Sequence, residues 1–228
     1  MNLSNTPLKP LYWLWLPLLW MAGQIALELS FDNNTLINIH AENGPHELVQ
    51  FLMLMVGAFV AARTLLKMDK SNKWLNIWIG LAFAACAFVG IEEMSWGQSV
   101  FKWGTPEFWA HINVQEETNL HNTSTWLNQK PRILLAIGIV TGGLLIPAAK
   151  RWKPSWVPAK FEIIYPPATL GVVAALYLFV RLTEKIANSF FDMDIWARPS
   201  EVEEVYFFYF VLLYLLVMKS RLTKPKSA

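Results

Sequence analysis

The chain carries a single cysteine, Cys86, in 228 residues. No intrachain disulfide and no paired CxxC centre can be made from it, and its place inside an apolar run suits a small buried hydrophobe. Charge is scarce too: 16% of residues are Asp, Glu, Lys or Arg, against about a quarter in soluble domains. That deficit points away from a solvated globule, and nucleic acid is not an expected partner. GxxxxGK, GxSxG and any short fixed-period repeat are absent from the sequence, so neither a phosphate-cradling loop nor a nucleophile elbow nor a solenoid is expected.

What the chain does have is apolar. Hydrophobic residues make up 54% and mean hydropathy is +0.32. About twenty apolar residues are needed to cross roughly 30 Å of hydrocarbon, and six runs approach that length: 11–31, 47–66, 74–91, 133–149, 163–182 and 201–218. The first holds Pro17, Gln24 and Glu28, polar or helix-breaking groups that must pack against neighbours in a membrane. One lysine precedes it, and the run is too long for a secretory signal, so a retained helix is expected. The expectation is an all-α membrane protein: a single integral domain of about six transmembrane helices with a long structured extracytoplasmic loop, 92–132, after the third.

Charge sets the orientation, because cytoplasmic loops are enriched in Lys and Arg near helix ends. Lys9 precedes the first run, Arg63, Lys67, Lys70 and Lys73 separate the second from the third, and Lys150, Arg151, Lys153 and Lys160 the fourth from the fifth. Lys219, Arg221, Lys224 and Lys226 follow the sixth. Only Lys102, Lys130, Arg132, Arg181, Lys185 and Arg198 fall in the alternate loops. Both termini are therefore expected in the cytoplasm of a cell with the protein in its inner membrane. All four histidines (His40, His46, His111 and His121) and nearly all the acids then share the outer face, which is where chemistry is expected.

The loop 92–132 is too aromatic for a solvated tail, with Trp96, Phe101, Trp103, Phe108, Trp109 and Trp126. Thr105, Pro106 and Glu107 signal a short helix within an interfacial or re-entrant segment. Glu92 and Glu93 close the third apolar run, and successive helical positions differ by about 100°, so the two carboxylates must face different surroundings. If 116–121 were helical, Glu117 and His121 would share a face. With His46 and Glu93 they would suit a divalent metal such as zinc. A salt-bridge and hydrogen-bond network, or a metal-free acid and base site, fits the same residues. Arg181 and Glu184 would pair at i, i+3; alternatively Arg181 and Lys185 would hold a lipid phosphate. Two segments, "NGPHELVQFLMLM" and "RPSEVEEVYFFYF", place proline and then acids ahead of a span, which suits helix capping, an inverted repeat or a ligand role.

The stretch "EEMSWGQ … GTPEFWAHINVQEETNLHN", with "ENGPHELVQFLML" upstream, resembles a pattern in multi-pass bacterial membrane proteins of the form EDGxxE, EExSWGQ, TPE and NxQxExNLHN. It covers roughly residues 42–122, with Asn43 where the pattern has an acid. The resemblance implies membership of such a family and no particular activity. The expected function is hydrolysis or group transfer on a lipid or lipid-linked substrate. Glu92, Glu93 and His121 would be its reactive groups, and Arg181, Lys185, Asn119, Trp96 and Gln98 its substrate contacts. A structural subunit of an envelope complex is the alternative from another class, and a transporter is a third.

Overall fold

The computed structural model describes residues 8–40, 44–113 and 117–223. Among them every regular element is helical and no strand occurs. A π turn, Leu11–Trp15, enters α1 (Leu16–Ser30), and α2 (Asn33–Ile39) follows. The long helices α3 (Pro45–Lys67) and α4 (Lys73–Glu93) come next, then the short α5 (Gln98–Phe101) and α6 (Glu107–Ile112). Helix α7 (Thr125–Val140) continues through a second π turn, Thr141–Leu145, into α8 (Ile146–Trp152). The chain ends with α9 (Gly171–Phe191) and α10 (Pro199–Leu222).

Local chemistry sets these boundaries. Pro45 and Pro199 open α3 and α10, where a missing N–H costs nothing. Asn72 and Ser124 cap α4 and α7 by accepting the N–H groups of Leu75 and Leu127. The expected short helix after Thr105 and Pro106 is α6. The fifth apolar run is divided differently from the expectation: 3-10 turns Ala159–Ile164 and Ala168–Leu170 occupy its first part, and α9 starts only at Gly171. Pro166 and Pro167 supply the break, since neither can donate a helical hydrogen bond. Arg221 of α10 satisfies the carbonyls of Ile163 and Tyr165 in that segment at 2.8 and 2.6 Å.

Among the described residues four helices are long and apolar enough to cross a membrane: Pro45–Lys67, Lys73–Glu93, Gln129–Trp152 and Pro199–Leu222. Their outward faces carry exposed Phe59, Ile77, Leu81 and Leu134, the apolar surface of a membrane protein rather than a solvated bundle. Helix α10 is the core of the assembly, packed on α3 and α9, while α4 packs on α3. Half of the apolar window of α10 is buried, against 17% for Gln129–Trp152.

At the π turn, Gly142 and Gly143 let α7 come close to its neighbours: a Cβ on Gly143 would stand 2.7 Å from that of Ala174 in α9 and 3.0 Å from the Phe210 ring in α10. The glycines hold α7 tightly at this level. Toward Gln129 the helix stands away from α9 and α10, leaving a cleft between them.

Candidate functional site

The adjacent acids at the end of α4 do different things. Glu92 is buried, and its two oxygens accept the Trp96 indole N–H at 2.5 Å and the Leu120 amide at 2.7 Å. Around it the backbone turns left-handed at three consecutive residues, Ser95, Trp96 and Gly97, with φ of 45°, 56° and 99°. For Ser95 and Trp96 that costs about 1–2 kcal/mol each, so the surroundings must hold them there. They do. Ser95 Oγ donates to Glu117 at 2.7 Å, the Asn119 amide donates to both Ser95 Oγ and Glu117, and the Thr118 hydroxyl donates to the Ser95 carbonyl. Gln98 accepts from the Thr118 N–H and donates to Thr105. Asn113 ties to the Asn119 backbone and side chain. Of the alternatives for these residues, a hydrogen-bond network is the arrangement found. Trp96, Gln98, Glu117 and Asn119 are occupied in folding the loop back on the end of α4.

Residues 117–120 form no helix, and a 3-10 turn follows at His121–Thr123, so the helical i, i+4 arrangement of Glu117 and His121 does not form. Asn113 and Asn119 explain why: their amides bond nearby backbone groups in competition with helix formation. The side chain of His121, one of the proposed reactive groups, lies outside the described residues. Among the described residues no group of three or more His, Cys, Asp or Glu side chains is arranged to hold a metal ion.

His46 is instead part of a buried ring of hydrogen bonds with Gln24 and His40. The His40 and His46 Nδ1 atoms are 3.0 Å apart, His46 Nε2 is 3.0 Å from Gln24 Oε1, and Gln24 Nε2 is 3.1 Å from His40 Nε2. One assignment satisfies all three contacts: His46 donates through Nε2, His40 donates through Nδ1, and the Gln24 amide donates to His40. Both imidazoles are then neutral. Burial pushes the His40 imidazole below its ordinary range, opposed by Glu28, whose carboxylate stands 3.6 Å away. Gln24 also donates to Glu28 at 2.9 Å. The polar groups that the sequence places in the first apolar run thus find their partners here.

Glu93 faces a cavity of about 360 Å³ formed where α4, α7 and α10 meet the loop. Glu47 of α3 and Glu201 and Glu204 of α10 line it with Arg132, Arg198 and Asn122. Arg132 pairs with Glu204 at 2.5 Å. Buried Gln50 donates to the Glu201 carbonyl at 3.1 Å and fixes the first turn of α10. Arg198 donates to the His40 carbonyl at 2.8 Å, which connects the histidine ring to the rim of the cavity. Beside this cavity lies the cleft of about 800 Å³ between α7, α9 and α10. Ile133, Ile137, Val140, Leu145 and Leu178 line its walls, with Arg181 and Glu203 at its polar end. Arg132, Ser200 and Phe207 border both spaces.

Arg181 pairs with Glu203 at 3.0 Å and not with Glu184, whose carboxylate accepts the Ile195 and Trp196 amides. Lys185 is exposed. Sequence reasoning therefore reached Glu93 and Arg181 but did not single out Glu47, Glu201, Glu204, Arg132 or Arg198 as site residues. The signal for three of them was the paired proline-then-acid segments, which deliver Glu47, Glu201 and Glu204 to one cavity.

No family model, no curated protein and no solved structure matches this chain.

Proposed function

We propose that this chain is a multi-span inner-membrane protein that binds a lipid or lipid-linked substrate from the outer leaflet and hydrolyses it or transfers a group from it. In this reading α1 and α9 complete a six-span bundle, the basic loops and both termini are cytoplasmic, and the Glu93 cavity opens on the extracytoplasmic side. The observation that supports it most is the adjacency of two spaces: a cavity rich in carboxylates and an apolar cleft that share Arg132, Ser200 and Phe207 as lining residues. An amphiphile has that same division of polar and apolar parts, and pockets between helices are common ligand sites.

Glu93 is the general base of this proposal. It makes no hydrogen bond or ion pair among the described residues, whereas Glu204 is tied to Arg132. Two carboxylates with different neighbours can divide the roles of base and acid. Arg132 and Arg198 supply positive charge where negative charge develops on the substrate. Glu92, engaged by Trp96 and Leu120, is a positioning residue.

The test is to reconstitute the protein in vesicles of bacterial lipid extract and follow lipid species by mass spectrometry, comparing the wild type with Glu93→Gln. A product formed by the wild type and reduced about a hundredfold or more in the variant, the usual scale for acid and base groups, is the expected result. No conversion by the wild type would overturn the catalytic part. Exposed Phe101, Phe108 and Trp126 on the loop favour a second reading, an assembly subunit docking through that surface. High-yield crosslinking of one envelope protein from position 101 or 108, with no lipid conversion, would select it.

A further inference from the structure

Resting on the lipid-site reading above, we infer that the ligand is a zwitterionic phospholipid with a primary ammonium headgroup, its acyl chain in the cleft, its phosphate at Arg132 and its ammonium among the carboxylates.

Charge is the first argument. The cavity is lined by Glu47, Glu92, Glu93, Glu201 and Glu204 against Arg132 and Arg198. Even with Glu92 engaged by its own loop, acids outnumber bases there. A headgroup ending in an anion, whether a glycerol phosphate or a polyprenyl diphosphate, would add negative charge beside carboxyl groups that already repel one another. A headgroup ending in an ammonium brings the opposite charge. A primary ammonium also brings three N–H donors to carboxylate acceptors, which a fully methylated ammonium lacks.

Order along the site is the second. Arg132 borders both spaces, so a ligand passing from the cleft into the cavity meets apolar walls, then a guanidinium, then carboxylates. An aminophospholipid presents chain, phosphate and ammonium in that sequence. Phosphate on a guanidinium is a strong charge-assisted pairing, and here it would join the existing Arg132–Glu204 pair. The remaining charged pair of the cleft, Arg181 with Glu203, stands at the same polar end.

Length is the third. From Arg132 to Leu145 the cleft follows thirteen residues of helix, roughly 20 Å at 1.5 Å per residue. That exceeds half of the roughly 30 Å hydrocarbon layer, enough depth for one leaflet's acyl chain. Ile137, exposed on this wall, is a position where a larger side chain would occupy the cleft without entering the core.

The experiment is native mass spectrometry of the full chain in detergent, titrated separately with phosphatidylethanolamine, phosphatidylcholine and phosphatidylglycerol of identical chains. Expected is retention of phosphatidylethanolamine about tenfold or more above the other two. That excess should be lost in Glu93→Gln/Glu204→Gln, and overall retention should fall in Arg132→Ala. Should Arg132→Ala fail to fold, Ile137→Trp serves in its place, lowering retention of all three lipids while the melting temperature stays within a few degrees of wild type. Saturable retention that Ile137→Trp lowers but that shows no headgroup preference, or prefers phosphatidylglycerol, overturns this inference and leaves the lipid site standing. No retention above background for any lipid, or retention indifferent to Ile137→Trp, overturns both.

Discussion

Glu92 and Glu93 are neighbours in sequence, yet one is held in a dense hydrogen-bond network and the other faces a cavity. Around Glu92, three left-handed residues and the side chains of Ser95, Gln98, Asn113, Glu117, Thr118 and Asn119 satisfy one another. Around Glu93, acids and arginines border a cavity that shares Arg132, Ser200 and Phe207 with a neighbouring apolar cleft. The difference teaches that part of an unusual polar motif can be spent on folding a loop, while its neighbour Glu93 joins the plainer acids Glu47, Glu201 and Glu204 in lining a cavity. A carboxylate whose oxygens both accept hydrogen bonds is evidence for architecture; one facing a cavity without such partners is evidence for chemistry.

The sharpest way to break this comparison is to remove each acid in turn. Glu92→Ala leaves a buried loop with the Trp96 indole and Leu120 amide deprived of their acceptor. At about 1–3 kcal/mol for each orphaned donor, and more where the lost partner is charged, the expected loss is roughly 3–5 kcal/mol. It should be seen as a large drop in melting temperature in detergent and rapid proteolysis between residues 94 and 120. Glu93→Gln should change stability by less than about 1 kcal/mol while removing lipid conversion. Equal stability losses in the two variants would erase the distinction.

Next in size is Gly143→Val, aimed at the place where α7 is held close. The added Cβ meets Ala174 at 2.7 Å and the Phe210 ring at 3.0 Å, and overpacking of that kind costs about 1–3 kcal/mol. Because Thr141 and Leu145 of the same π turn line the cleft, lipid retention should change along with stability. A variant with unaltered retention would show that the cleft does not depend on this contact. Gly97→Ala is smaller, about 1–2 kcal/mol, since φ is 99° and an alanine there is strained. Its effect should appear in loop proteolysis and not in lipid retention.

Much of the fold was legible because membrane crossing imposes length and composition together. The second, third, fourth and sixth apolar runs correspond to helices of spanning length, and α6 begins where Thr105, Pro106 and Glu107 signalled it. The run 163–182 misled because hydropathy averages over Pro166 and Pro167, which divide it. The pairing of Glu117 with His121 failed for a different reason: helical spacing was assumed where asparagine side chains bind the backbone. The cavity was hidden by distance in sequence. Glu47, Glu93, Arg132 and Glu204 come from α3, α4, α7 and α10, and nothing local announces that packing on α10 will gather them. The proline-then-acid echo was visible, but capping accounts for such acids equally well until the helix starts are seen side by side.

The histidine ring gives the smallest effect and the one with a defined pH window. Neutral His40 accepts from Gln24 through Nε2 and donates to His46 through Nδ1. A second ring proton would point at the Gln24 amide, which already donates to Glu28. Burial holds the folded-state pKa of His40 below its ordinary value of 6.5. The unfolded chain therefore takes up this proton first as pH falls, and stability declines below about pH 6.5 by at most about 1.4 kcal/mol per pH unit for one proton. Above pH 7.5 both states are deprotonated at this site and the contribution is constant. Melting temperature measured from pH 8 to 5 should be flat and then fall, and His40→Gln should make the acid limb shallower without abolishing it, because His46 shares the ring; an unchanged limb in that variant would move the titration elsewhere. Since Arg198 joins the His40 carbonyl to the cavity rim, strain from protonation has a direct route to the polar end of the proposed lipid site. Lipid retention should accordingly weaken over the same acid limb, and should keep its neutral-pH level there in His40→Gln.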